Sequence, residues 1–286
     1  MFHKIKIKAF AYAPLAITLT LLAWLYTQVT RHDFLGFDLI DDTRCSFIFY
    51  PLIYYCYFSE GRLVENFQWA MLGSGFVFSF LIYKKILVTE KVQKRAFFLF
   101  SAGLLLMLLE DWMNVRHLIS SAYMIPAFDA WLTSTQIRMI WEAIFYAFLS
   151  SIMIGAFWCL LKSNNLCLKP NKRLFFGFAL YGLVGFGSAF RRLFDWQERL
   201  GNAIIEGFNL KSLDAWQQAY AIYYRALDNN PDYGFSPGYL LVDHLVEESL
   251  ELIAASFLLS GLLAIILPYY KSLKQQRIHK FGSGPN

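Results

Sequence analysis

The chain has 286 residues, of which 57% are hydrophobic, 19% aromatic and 16% charged. Soluble domains carry about 25% charged residues, so this composition excludes an ordinary soluble fold, a disordered chain and a disulfide scaffold, and it marks a polytopic membrane protein. Four cysteines without a CxxC pair exclude a zinc ribbon and a dithiol redox motif.

A helix needs about 20 largely apolar residues to cross a ~30 Å hydrocarbon core. Six stretches meet that requirement, at roughly 9–29, 64–84, 96–119, 137–161, 174–195 and 239–267. The expected fold is therefore all-α, a six-span transmembrane bundle forming one domain over 1–271, with a basic tail at 272–286. The first span follows the basic start MFHKIKIK. Its apolar run exceeds the ~7–15 residues of a signal-peptide core, and no small-x-small site follows, so it reads as an uncleaved helix. The segment 45–58 is apolar but short, is interrupted by Pro51 and is rich in Tyr and Phe, which suits an interfacial or re-entrant position.

The longest connection, 196–238, contains SLDAWQQAYAIYYRAL (212–227), which reads as a helix with Ser212 as N-cap and Asp214 in its first turn. Leu213, Trp216, Tyr220, Tyr223 and Leu227 share one stripe, which suits a helix lying on the membrane or capping the bundle, and offers a docking surface for a membrane-protein partner. Cys45 and Cys56 fall on the same side and are candidates for a disulfide if that compartment oxidises, whereas Cys159 and Cys167 read as inert.

Charge orients the six spans. The termini and the 84–95 and 162–173 loops hold sixteen of the 26 Lys and Arg residues and a single acid, Glu90. The positive-inside rule then places both termini in the cytoplasm, in a bacterial cytoplasmic membrane. The formal charge of +5 is topogenic, so nucleic acid is excluded as a partner and the lipid bilayer is the expected one.

The informative feature is what interrupts the apolar runs. Span two opens with Glu65, Asn66 and Gln68, and span three carries Glu110, Asp111, Asn114, Arg116 and His117. Span four carries Glu142, span five ends with Arg191, Arg192 and Asp195, and span six carries Asp243, His244, Glu247, Glu248 and Glu251. A charge near mid-bilayer costs at least about 2.5 kcal/mol, so such groups need partners. With a rise of ~1.5 Å per residue, all of them fall in the non-cytoplasmic half, which predicts one polar chamber there. Helical spacing puts Glu110, Asn114 and His117 on one face, and His244, Glu248 and Glu251 on another. The carboxylates outnumber the arginines, an excess that a metal ion or shared protons would relieve.

Three functions fit this pattern. In the first, His117, His244, Glu110, Glu248 and Glu251 bind a divalent metal such as zinc, iron or manganese. Glu110, His117, Glu142 and Glu248 then supply acid/base groups, and Arg116, Arg191, Arg192, Asn114 and Asp111 hold a lipid or quinone-like ligand entering from that leaflet. The second is a proton- or ion-coupled transporter. The third is a non-catalytic subunit or scaffold, in which the charges only neutralise one another.

Glu60-Gly61 followed by Glu65 and Gln68, the Glu110-Asp111 pair and the Glu247-Glu248 pair resemble motifs of uncharacterised bacterial multi-span proteins that carry paired glutamates. That resemblance implies no activity. Asn114-Val-Arg-His117 is similar to the second-span motif of the membrane hydrolase superfamily that includes alkaline ceramidases and progestin/adipoQ receptors. This second resemblance implies a zinc amidase using three histidines, an Asp and a Ser. Here the corresponding His-x-x-x-His reads His244-x-x-x-Glu248. No P-loop, GxSxG or HExxH occurs, and the glycines at 73, 75, 182, 185 and 187 suit close helix packing.

Overall fold

The computed structural model describes residues 2–30, 58, 62–85, 91–162, 171–207 and 237–282; at several helix ends, including 191–194 and 269–282, it describes the backbone but not the side chains. Seven principal helices follow one another: α1 (Phe2–Thr30), α2 (Leu63–Lys85), α3 (Lys91–Met113), α4 (Ser134–Lys162), α5 (Lys172–Phe194), α6 (Trp196–Gly207) and α7 (Glu248–Gly282). No strand occurs among the described residues. In lipid the backbone must satisfy its own hydrogen bonds, and a helix does so within one segment.

Five of these segments are long and apolar enough to cross a membrane: Ala9–Tyr26, Lys91–Met113, Gln136–Lys162, Lys172–Phe190 and Leu241–Pro268. With 23 residues α2 has a span's length, but Glu65, Asn66 and Gln68 lower the apolar character of its opening turns. The outward faces are apolar, as Phe98, Ile144, Phe148, Leu183 and Phe186 show, all exposed on the bundle surface. That is the surface a bilayer solvates.

The helices close into a ring. α2 packs on α3, α3 on α4, α4 on α5, α5 on α7, and α7 back on α2, while α1 lies outside against α7. Phe97, Phe100 and Leu104 of α3, Met153 and Leu160 of α4, and Leu252, Leu258 and Leu262 of α7 fill its middle and are fully buried. Lipid is as apolar as these side chains, so close fit rather than water exclusion holds the helices together. The α5–α7 crossing shows this. A Cβ on Gly177 of α5 would stand 2.7 Å from the backbone nitrogen of Leu258, and one on Gly261 of α7 would stand 2.7 Å from that of Leu174. Asn171 pins the same crossing: its side chain caps α5 by accepting from Leu174 N–H at 3.0 Å and donates to the Gly261 carbonyl at 2.8 Å.

Three boundaries depart from the sequence-based expectation. The third span does not run unbroken to 119; it stops at Met113, because Asn114 adopts the left-handed conformation with φ 49° and ψ 43°. The chain resumes as a short helix over Val115–Ile119 and a wide π-type turn over Ser120–Met124. The sixth span enters through a single turn, Pro237–Leu240, and π-type turns over Leu241–Glu247 before α7 begins. The 196–238 connection starts as the amphipathic helix α6, whose Gly201 packs directly on the backbone of Gly238 and so ties the connection's two ends together. Among the glycines expected to pack helices, Gly75 lies against Leu104 and Leu262, and Gly185 against Tyr146, whereas Gly182 has open space beside it. The expected helix at 212–227, the segment 45–57 and Cys45, Cys56 and Cys167 lie outside the described residues. Cys159 is a free cysteine, half-buried in α4.

Candidate functional site

The first half of the site grows out of the break in α3. Asn is one of the few residues that enter the left-handed region readily. Restarting a helix there leaves its first N–H groups without partners in the preceding turn. The Glu110 carboxylate takes up that role: its Oε2 accepts from the Arg116 backbone N–H at 2.8 Å. Its Oε1 lies 2.9 Å from Arg116 Nε, an ion pair with side chains only 7% and 9% exposed. One glutamate therefore accepts from the backbone and ion-pairs with the side chain of the same arginine.

The guanidinium reaches on to α4. Nη1 donates to the Tyr146 hydroxyl, and the group lies 5.1 Å from the centre of the Tyr146 ring. Gly185 of α5 leaves the room that ring needs. Trp141 Nε1 donates to the Arg116 carbonyl at 3.1 Å, so α4 grips the restarted segment at backbone and side chain alike. Nη2 of Arg116 sits 3.3 Å from His117 Nε2. Arginine offers only donors, so a hydrogen bond between them has the imidazole nitrogen as acceptor. Nδ1 faces Glu142 Oε1 at 3.8 Å, beyond hydrogen-bond length, with Glu142 only 3% exposed.

The second half is more acidic. Gln68 of α2 is fully buried, and its Nε2 lies 2.7 Å from Asp111 Oδ2, 2.9 Å from Glu251 Oε2 and 2.9 Å from the Tyr181 hydroxyl. Tyr181 in turn donates to Asp111 Oδ2. One amide thus bridges carboxylates from α3 and α7. Adjacent residues on a helix diverge by about 100°, so Glu110 turns to Arg116 and α4 while Asp111 turns to α2 and α5. Gln197 of α6 donates from Nε2 to Glu247 Oε2 at 2.9 Å.

Gln68 Oε1, Gln197 Oε1 and Glu248 Oε2 are buried with no hydrogen-bond partner among the described residues. Glu248 also lies within electrostatic range of Glu251, Glu65, Glu247 and Asp111. Glu251 lies within range of Asp111, Glu247 and Arg116, which links the two halves electrostatically into one polar cluster.

The expected site residues are placed as follows. Glu110, Arg116, His117 and Glu142 come together in the first half, and Asp111, Glu248 and Glu251 in the second. Asn114 provides the backbone break. His244 lies in the π-type entry to α7 and is half-buried. Arg191 and Arg192 belong to the last turn of α5, and their side chains fall outside the described residues. Among the described residues no group of three or more His, Cys, Asp or Glu side chains converges as a metal-binding group. Of the expected ligands, Glu110 has both oxygens engaged by Arg116. Tyr146, Tyr181 and Gln197 were not expected in the site. Each is an uncharged polar residue, and its only signal was a hydroxyl or amide beside an apolar run. No protein-family model, curated protein or solved structure matches the chain.

Proposed function

We propose that this chain is a six-span integral membrane protein that binds a small cation bearing N–H donors, such as ammonium or a primary amine, in its acidic chamber. α2 supplies the sixth span: it packs between α3 and α7, and its polar opening turns face the chamber through Gln68. The lysine-rich ends are cytoplasmic, and the chamber opens toward the other side of a bacterial cytoplasmic membrane. The observations that carry the reading are three buried acceptors with no hydrogen-bond partner among the described residues, Gln68 Oε1, Gln197 Oε1 and Glu248 Oε2, and two carboxylates that share one amide. A buried acceptor without a donor costs about 1–3 kcal/mol. A ligand that relieves several at once must donate hydrogen bonds, and one that relieves the like charges must be positive. The Glu110–Arg116 pair neutralises itself and serves as the wall against which the acidic half is held.

The test is ligand-dependent thermal stability of the purified protein in mild detergent, with ammonium, methylamine and longer primary amines compared against sodium. A ligand at 100 times its Kd stabilises the fold by about 2.7 kcal/mol. That shift is expected with amines, is lost in Glu248→Gln and Glu251→Gln, and is retained in the exposed variant Asp195→Asn. Stoichiometric zinc, iron or manganese in the purified protein, or no response to any amine, overturns the reading.

A further inference from the structure

At the opposite end of the bundle a groove of about 810 Å³ runs along the outer surface between the end of α4 and the start of α5. Its walls are Ile154, Phe157, Trp158 and Leu161 on one side and Phe175 and Phe176 on the other. Four of these, Ile154, Trp158, Leu161 and Phe175, are more than half exposed, so the groove opens outward rather than into the ring. It lies within the membrane-crossing stretches of both helices. Ile154 is eight residues from Lys162, which makes the groove about 12 Å deep along the helix axis.

The mouth is cationic. Lys172 opens α5 at the groove, and Lys162 closes α4 with its ammonium 4.8 Å from the centre of the Trp158 ring. Both are exposed. The third basic residue there, Arg173, is engaged elsewhere: its guanidinium stacks 3.5 Å from the Tyr12 ring and donates to the Ala11 carbonyl, which ties α1 to α5. Two ammonium groups therefore stand at headgroup depth over a slot whose described walls are apolar.

We infer that this groove holds one acyl chain of an anionic phospholipid whose phosphate sits between Lys162 and Lys172. Charge complementarity selects the occupant. A neutral partner helix would cover the aromatic walls but leave the two ammonium groups without counter-ions at the mouth. A zwitterionic lipid brings its own cation to the same place. This site is independent of the chamber, which lies at the other end of the ring.

The test is native mass spectrometry of the full-length protein released from nanodiscs of equimolar phosphatidylglycerol and phosphatidylcholine. One retained phosphatidylglycerol is expected, with a preference of roughly twenty-fivefold, about a factor of five from each lysine near the surface. The double variant Lys162→Glu/Lys172→Glu should abolish the preference while the protein still carries lipid. Ile154→Trp, which fills the slot from an exposed position, should remove the retained lipid whatever its headgroup. Equal retention of the two lipids means an annular lipid only and overturns the inference. So does retention that neither variant alters, or cross-linking of a second protein to a photoreactive residue at 154.

Discussion

The Glu110–Arg116 pair allows a quantitative test of how the chamber is built. Both side chains are nearly inaccessible, with 7% and 9% exposure, so solvent screening does not reduce their interaction to that of a surface pair. Arg116→Met removes the ion pair and the hydrogen bond to Tyr146, and takes the guanidinium away from the Glu110 carboxylate. Breaking one side of a buried pair costs about 3–5 kcal/mol. Glu110→Gln keeps a carbonyl oxygen for the Arg116 backbone N–H but deprives the guanidinium of its carboxylate. The double variant Glu110→Gln/Arg116→Met removes both charges, and its expected cost is only about 1–2 kcal/mol, because neutral groups carry no uncompensated desolvation. The cycle should then show a coupling of at least ~2 kcal/mol, measured by equilibrium unfolding in mixed detergent with far-UV circular dichroism. If the two single effects add to within ~0.5 kcal/mol, the residues do not act on each other and the described geometry is wrong.

Three further outcomes follow from the backbone and the packing. Asn114→Gly should leave stability within about 0.5 kcal/mol, whereas Asn114→Val should cost about 1–2 kcal/mol, since a β-branched residue resists the left-handed region; thermal unfolding separates the two. Gly177→Leu should cost at least ~1–3 kcal/mol because its side chain would meet the backbone of α7, while Gly182→Leu, with open space beside it, should be nearly silent in the same assay. Reporter fusions after Lys91 and Lys169 should report cytoplasm, and one after Asp214 should not; a cytoplasmic signal at Asp214 would reverse the proposed orientation.

The helices were legible in the sequence because an apolar run of span length has few alternatives in a bilayer. The clustering of the acids at one end was legible too, since span direction and helical rise suffice to place Glu65, Glu110 and Glu251 at one level. What could not be read was pairing. The i, i+4, i+7 spacing that set Glu110, Asn114 and His117 on one face assumes an unbroken helix, and Asn114 breaks it, so that Glu110 meets Arg116. The same assumption fails at His244 and Glu248, because π-type turns over Leu241–Glu247 shift the register. Tyr181 and Tyr146 were hidden for another reason. A tyrosine in a span suits an interfacial anchor as well as a buried hydroxyl, and only the neighbouring helices decide between them.

The ring is not closed by its neighbours in chain order. α2, α3, α4 and α5 are emitted in sequence, but the wall that joins α5 back to α2 is α7, which emerges only after the long 196–238 connection. Until then the four earlier helices form an open curved screen. Asp111 and Gln68 already face each other across α2 and α3, but Glu251 has not yet arrived and α2 has bare lipid along the side that α7 will cover. A half-made chain therefore exposes a polar seam to hydrocarbon, the kind of surface that insertion chaperones and membrane proteases recognise. When α7 enters, it covers the seam and completes the chamber in one event. Closure of the ring and assembly of the polar cluster are thereby tied to the same helix, and a chain arrested before α7 would be an unfinished bundle rather than a smaller complete one.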